Sequence, residues 1–347
     1  MHVFKNRNQT ALMKTTTTEN IGMDIQQKYL EFHTRINEEL QQCLLGKEPK
    51  SLYEPATYIL TGKGKRVRPV LVLLGAESIC GTSDHALNLA LSVEVLHNFT
   101  LIHDDIMDNA ALRHGRETVH LKWNENAAIL SGDMMLAFAY ELALKTNSSR
   151  LTKILDVITQ STIVICEGQT YDMDFEKRTD VTMSEYLDMI SKKTGRLIAA
   201  SLELGGLAAE ATDEQLAILT EYGELIGQAF QVQDDLLDIM ADDKKFGKVP
   251  GGDLMEGKKT FLLLRALELT TGEDHLLLQS VIDNHGIAQE RIPEIKDIYE
   301  RCGILNEAQE LINSNFEKAV TLSEKLPNEA GREALVGFTA MVMKRDS

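Results

Sequence analysis

From Ile25 onward the apolar positions fall at helical spacing. Ile25, Tyr29, Phe32, Ile36 and Leu40 recur every three or four residues behind Asp24, a candidate N-cap, and Gly46 closes the run. The same period predicts helices over about 51–61, 67–80, 84–109, 126–146, 150–175, 184–208 and 213–240. After a polar loop at 241–257, shorter helices follow near 259–270, 275–284, 293–301, 305–325 and 330–343. No strand alternation or Asn-Gly hairpin signal interrupts the series. Proline is absent between 70 and 249, so long helices are allowed there. Stretches such as LNLALSVEVLHNFTLI and AAILSGDMMLAFAYELAL are apolar nearly all round, which marks helices buried inside a large bundle. The pattern therefore predicts an all-α chain with one large domain over 23–347. Residues 1–22 are polar and threonine-rich, and read as a disordered tail or an over-extended start, with Met23 a credible true beginning.

Composition narrows the classes. With 43% hydrophobic and 26% charged residues a substantial core can form. The balance of 36 basic to 53 acidic residues, a net −17, argues against a nucleic-acid surface, because phosphate backbones need a concentrated basic face. Cys43, Cys80, Cys166 and Cys302 have neither zinc-site spacing nor the density of a secreted scaffold. No apolar run is long enough to be a transmembrane segment or a signal peptide. The expectation is a cytoplasmic protein.

Two segments end strongly apolar helices with paired aspartates. LIHDDIMDNAALRHG carries Asp104, Asp105 and Asp108, and FQVQDDLLDIMADD carries Asp234, Asp235 and Asp238. On a helix, positions i and i+4 lie about 40° apart and about 5.4 Å along the axis, so Asp104 with Asp108, and Asp234 with Asp238, each form a two-carboxylate claw. Such neighbours repel, and a buried face would not tolerate them without a cation. Oxygen-only claws suit Mg²⁺, which keeps waters and shares its coordination with substrate phosphate. One such motif could be a solvated acidic helix end; two copies, each behind an apolar helix, point to a phosphorylated ligand.

Gly62-Lys63-Gly64-Lys65-Arg66-Val67-Arg68-Pro69 places four cations at a helix start, an anion cradle without Walker spacing. Arg113 follows the first claw closely, Lys193-Thr194-Gly195, Lys248 and Lys258-Lys259-Thr260 add cations near glycines, and His97 shares the stripe of Asp104. Two other metal readings exist. Glu94-x-x-His97 and Glu117-x-x-His120 match the unit of di-iron bundles, although Glu117 is expected to start a helix rather than lie within one. His103-Asp104 matches the His-Asp pair of metal phosphohydrolases but leaves the second aspartate motif unexplained.

At these residues the chain resembles the trans-polyprenyl diphosphate synthase family, with GKRVRP, HDDIMD, LRHG, KTG, FQVQDDLLD, FGK and GGDLMEGKKT in family order between about residues 50 and 270. The resemblance implies the isoprenoid synthase fold, a large helical bundle around a central cavity, usually homodimeric. It also implies condensation of isopentenyl diphosphate with an allylic diphosphate (dimethylallyl, geranyl or farnesyl), with three Mg²⁺ ions on the allylic diphosphate. By the same resemblance Asp104, Asp108 and Asp234 are metal ligands, completed by Asp105, Asp235 and Asp238. Gly64, Lys65, Arg68 and His97 match isopentenyl diphosphate contacts. Arg113, Lys193, Thr194, Gln231, Lys248 and Lys258 match allylic contacts, with Lys193, Thr194 and Gln231 tempering the carbocation.

One position departs from the pattern: the family's Arg-Arg after the first motif reads Arg113-His114 here, so the second isopentenyl diphosphate contact is a titratable histidine. Phe99 and Thr100, the fifth and fourth positions before Asp104, match the floor that limits chain length. An aromatic at the fifth position resembles short-chain synthases, so the expected product is geranylgeranyl diphosphate, with farnesyl diphosphate as the alternative. A non-catalytic partner subunit or a terpene cyclase fits less well, because all six aspartates and the basic cradle are present.

Overall fold

In the computed structural model of the chain, residues 25–240 and 251–344 are described. The tail expected at 1–22, the Asp24 cap and Lys248 with its FGK motif lie outside them. The chain forms two compact units, each assembled from separate segments. Unit 1 takes Met1–Leu155, Ser201–Gln215 and Leu326–Val342; unit 2 takes Asp156–Ala200, Leu216–Lys325 and Met343–Ser347.

Helix is the dominant element, as the apolar period predicts. Helix α1 covers 25–43, followed by α2 (Lys50–Leu60), α3 (Val67–Cys80), α4 (Leu87–Met107), α5 (Val119–Lys122) and α6 (Glu125–Ala143). Then come α7 (Leu151–Lys177), α8 (Met183–Ile190), α9 (Arg196–Ala208) and α10 (Asp213–Met240). After α10 the chain forms α11 (Gly252–Met255), α12 (Phe261–Leu269), α13 (Gly272–Asp283), α14 (Ile292–Arg301), α15 (Ile304–Ser323) and α16 (Glu329–Met343).

Local chemistry sets several boundaries. Asn124 caps α6 by accepting from the Ala127 amide at 2.8 Å, and Thr182 with Glu185 forms a reciprocal capping box at the start of α8. In unit 1, α4 is buried on almost every side through Leu89, Val93, Leu96, Phe99 and Ile102. Its Ser92 hydroxyl donates to the Ala139 carbonyl of α6 at 2.7 Å, so the apolar all-round stretch is indeed a central helix. Unit 2 has its own core, in which Val232 and Ile239 of α10 pack with Phe261 to Leu264 of α12 and with Ile295, Ile298 and Tyr299 of α14.

Three expectations need correction. The helix foreseen at 184–208 is interrupted by a π-turn over Ser191–Gly195. Its backbone lies against α7 at Gly168, where an added Cβ would fall 2.4 Å from the Lys193 nitrogen, so only glycine allows the approach. A short antiparallel hairpin, β1 (Leu112–Arg113) with β2 (Arg116–Glu117), stands where no strand was expected. Two residues per strand are too few for an alternation to register, and the turn is made by His114 and Gly115 at φ 51° and 74°. Glu117 accordingly ends a strand, and the helix after it begins at Val119.

Candidate functional site

The first aspartate motif closes α4 in unit 1. Asp108 caps the helix, its amide donating to the Asp104 carbonyl at 2.8 Å. Asp104 is half-buried and Asp108 exposed, whereas Asp105 is only 1% exposed. One residue is about 100° of helix rotation, so the middle carboxylate faces inward while the i, i+4 pair shares another face. Inside, Asp105 Oδ1 accepts from Arg113 Nε at 2.9 Å and Nη2 at 2.6 Å. Arg113, expected on allylic diphosphate, thus ties the hairpin to the helix end by neutralising a buried charge.

The basic loop before α3 is shaped by one of its own cations. Arg66 adopts a left-handed φ of 47° and buries its guanidinium. It donates to Glu94 Oε1 at 2.5 Å, Asn37 Oδ1 at 3.0 Å, and the carbonyls of Leu60 and Gly62 at 2.6 and 2.9 Å. Arg66 is therefore an internal post rather than an anion ligand. Glu94 is committed to Arg66 and to Asn98 Nδ2 at 3.1 Å, which removes the di-iron reading of Glu94-x-x-His97. The loop backbone is held as well: Tyr29 Oη donates to the Lys65 carbonyl at 3.1 Å, and His33 Nε2 meets the Gly64 carbonyl at 2.9 Å.

The same arrangement brings Arg68 and His97 together, with Arg68 Nη1 3.2 Å from His97 Nε2. Burial, then the positive charges of Arg68, Arg113 and Arg66, push the His97 pKa well below its ordinary value. His97 is thus neutral near pH 7. Arginine can only donate, so Nε2 must be the accepting nitrogen and Nδ1 carries the proton.

The second motif lies within α10 in unit 2, with Asp234 and Asp238 half-buried and Asp235 only 6% exposed. Here the middle carboxylate has no arginine. Its Oδ2 accepts from the Tyr186 hydroxyl and from the Phe261 amide at 3.0 Å, at the start of α12, and its Oδ1 accepts from Gln231 Nε2 at 3.3 Å. Burial nevertheless outweighs these donors and raises the Asp235 pKa to about 7. Gln231 Oε1 in turn accepts from the Thr194 hydroxyl at 3.0 Å. The chain Thr194–Gln231–Asp235 fixes which end of the Gln231 amide is oxygen.

The segment 251–253 folds back onto Asp238, whose Oδ2 accepts from the Asp253 amide at 3.1 Å. Burial and the nearby Asp238 carboxylate raise the Asp253 pKa to about 6. Burial also works against the charge of Lys258, but Glu256 and Asp253 more than compensate, so its pKa rises.

Tyr186, Asp235, Asp253 and Lys258 line a cavity of about 170 Å³. It brings together the expected Lys193, Thr194, Gln231, Asp235 and Lys258, with Phe175, Met189 and Ile190 as apolar wall. Lys193 lies within the π-turn, half-buried, and its ammonium pairs with Asp172 of α7. Lys259, read from the sequence only as a further cation, also lines the cavity, as do Asp172, Tyr186 and Asp253, which were not anticipated. Asp172 and Tyr186 sit in helical runs where one acid or one hydroxyl looks like any surface position. Asp253 and Lys259 lie within GGDLMEGKKT and carried a signal in that motif.

Among the described residues no group of three or more His, Cys, Asp or Glu side chains is placed to hold a metal ion. A pair of carboxylate-bearing residues one turn apart, neither of them fully buried, suits an ion that keeps water and takes further oxygens from a phosphorylated substrate. The donor chemistry therefore fits Mg²⁺. No helix is long and apolar enough to cross a membrane among the described residues.

A helical chain with two such aspartate turns and a lysine–threonine–glutamine cavity beside one of them has the makings of a prenyltransferase. Comparison with known proteins specifies the class. The family model described as "Polyprenyl synthetase" matches residues 49–300. A short chain isoprenyl diphosphate synthase of Methanothermobacter thermautotrophicus is 37% identical over 93% of this chain and 98% of its own. A geranylgeranyl diphosphate synthase of Methanosarcina mazei is 44% identical over 68% of this chain and 73% of its own. The crystal structure of a geranylgeranyl pyrophosphate synthetase from Pyrococcus horikoshii aligns with a TM-score of 0.86 at 34% identity, covering 95% of this chain and 100% of that one. The chain belongs to the polyprenyl synthetase family and has its all-α isoprenoid synthase fold. It is a prenyl diphosphate synthase, a transferase of alkyl groups.

Proposed function

We propose that the chain condenses isopentenyl diphosphate with allylic diphosphates to give geranylgeranyl diphosphate. The observation that carries this reading is the cavity of unit 2, where Lys193, Thr194, Gln231 and Lys258, widely separated in sequence, meet beside an apolar wall.

Lys193 and Lys258, with Arg113, hold the allylic diphosphate and offset the charge that builds on it as the carbon–oxygen bond breaks. Gln231 Oε1 and Thr194 Oγ1 present oxygen dipoles toward the allylic cation, while Phe175, Met189 and Ile190 exclude water. Gly64, Lys65, Arg68, His97 and His114 hold isopentenyl diphosphate, whose double bond attacks the cation. The proton lost in forming the new double bond passes to the departed diphosphate, so no side-chain base is needed.

Asp104 and Asp108 in unit 1 and Asp234 in unit 2 would hold magnesium, three ions with allylic diphosphate bound, and Asp105, Asp235 and Asp238 support them. When bound, the metal supplies Lewis-acid stabilisation of the leaving diphosphate. Phe99, buried on α4, and Thr100 form the floor that stops elongation. Lys248 is assigned to the allylic diphosphate by its motif alone. The apolar residues exposed on α6, Ile129 and Leu130, suit a homodimer contact, and the four free cysteines suit a reducing cytoplasm.

The test is incubation with Mg²⁺, isopentenyl diphosphate and five-, ten- or fifteen-carbon allylic primers, followed by sizing of the products. Twenty-carbon diphosphate should dominate with every primer. Products that stop at fifteen carbons would assign farnesyl diphosphate instead, and phosphate release without isopentenyl diphosphate would point to a hydrolase.

A further inference from the structure

His103 stands immediately before the first aspartate motif, and the chemistry above gives it no role. Its imidazole is nonetheless closely placed. One helical turn separates it from Phe99, and side chains on a helix lean toward the N-terminus, so His103 comes to lie over the Phe99 ring. The ring centroids are 4.9 Å apart at 71°, an edge-to-face contact. Across from it, His103 Nε2 lies 3.4 Å from the Ile129 carbonyl of α6 and 3.8 Å from Asp133 Oδ1. Between those two residues is Gly132, where an added Cβ would fall 2.4 Å from His103 Nε2 and 2.8 Å from Cδ2. The imidazole therefore occupies a notch that exists only because position 132 has no side chain. Phe99, 8% exposed, is held from the aspartate side by a ring that is itself held by the backbone of α6.

We propose that His103, seated in the Gly132 notch, is a positioning residue that braces Phe99 and so determines product length. This rests on the reading of Phe99 as the floor of the chain-length pocket. A floor whose bulk is one aromatic ring, with Thr100 beside it, limits elongation only as well as that ring is kept from swinging aside. His103 is the side chain that blocks that motion, and Gly132 is what lets it stand there. His103→Ala should therefore lengthen the product although no atom of the floor has been removed.

The experiment sizes products from isopentenyl diphosphate and farnesyl diphosphate for the wild type, Phe99→Ala, His103→Ala, Gly132→Ala and the double variant His103→Ala/Gly132→Ala. The first-condensation rate and thermal midpoint are measured alongside. Phe99→Ala and His103→Ala should both shift the distribution at least one five-carbon unit longer, and His103→Ala should largely keep the rate of the first condensation. Gly132→Ala should broaden the distribution by displacing the imidazole. In the double variant it should add nothing to His103→Ala, because an empty notch has nothing to displace.

Wild-type product from His103→Ala, with longer product from Phe99→Ala, would overturn the brace and leave the floor intact. Unchanged product from both would overturn floor and brace together. An added effect of Gly132→Ala in the double variant would overturn the notch. His103→Ser serves as a second truncation should the alanine variant fold poorly.

Discussion

The two aspartate turns share the sequence Asp-Asp-x-x-Asp and the same helical geometry, yet they solve the problem of the buried middle carboxylate differently. In unit 1, Asp105 is met by a full positive charge from Arg113, eight residues along the chain on a short hairpin. In unit 2, Asp235 is met by neutral donors: a phenol 49 residues away, a helix-start amide 26 residues away and an amide side chain one turn earlier. Where a guanidinium is the partner, the pair is local and electrostatic. Where neutral groups are the partners, burial dominates and the pKa climbs to about 7. The comparison teaches that a motif fixes which carboxylates face out, while the fold around it decides how the inward one is satisfied.

The largest effect that would sharpen this comparison is on the outward carboxylates. Asp104→Ala and Asp234→Ala should each lower kcat by roughly 10²–10³-fold or more, the range for removal of one electrostatic contact to developing charge. Their urea midpoints should stay near wild type. A loss of only a few-fold in steady-state isopentenyl diphosphate incorporation would contradict their roles.

The inward pair of Asp105 and Arg113 should act on stability as well as on activity. Arg113→Ala strands Asp105 as an uncompensated buried charge and should cost about 3–5 kcal/mol in urea unfolding. Adding Asp105→Leu should recover most of that loss. If Arg113→Ala unfolds like the wild type, the charge-based account of unit 1 fails.

In unit 2, Tyr186→Phe removes one donor to a buried acceptor while keeping the ring, and should cost about 1–3 kcal/mol. Because Asp235 orients Gln231, kcat should fall while KM for the allylic substrate changes little. A KM effect with unchanged kcat would place Tyr186 in substrate binding.

The remaining effect is on pH dependence. An unfolded aspartate titrates near ~3.9, and folding raises Asp235 to about 7 and Asp253 to about 6. The folded state therefore holds these protons more tightly. Their contribution to stability is complete below the unfolded value and is lost as pH rises through about 6 to 7. Metal-free protein should show a thermal midpoint that declines across pH 4–7, less steeply in Asp235→Asn. An identical slope in the variant would refute the assignment to Asp235.

Much of this was legible in the residues. Apolar period and scarce proline announced the helices, because burial on all sides leaves its mark on every turn of α4. Asp104 and Asp108 could be paired from spacing alone, since four residues make about one turn. The two-residue strands and the π-turn were not legible: the hairpin is too short to leave a period, and the π-turn depends on Gly168, at least 23 residues before any residue of Ser191–Gly195. Arg66 read as one more cation of an anion cradle, and only its burial against Glu94 reveals a post.

By itself the sequence determined the helical class, through its apolar period, and the family, through the resemblance of its motifs, and it offered the aspartate pairs as candidate metal ligands, because four residues make about one turn of a helix. Tertiary structure decided that Asp105 and Asp235 face inward to different partners, that Tyr186 and Asp172 stand behind Gln231 and Lys193, and that His103 rests on Gly132. Apart from the local Arg113–Asp105 pair, those outcomes depend on contacts between segments tens of residues apart. There, desolvation and hydrogen-bond geometry, rather than residue type, set what a side chain does.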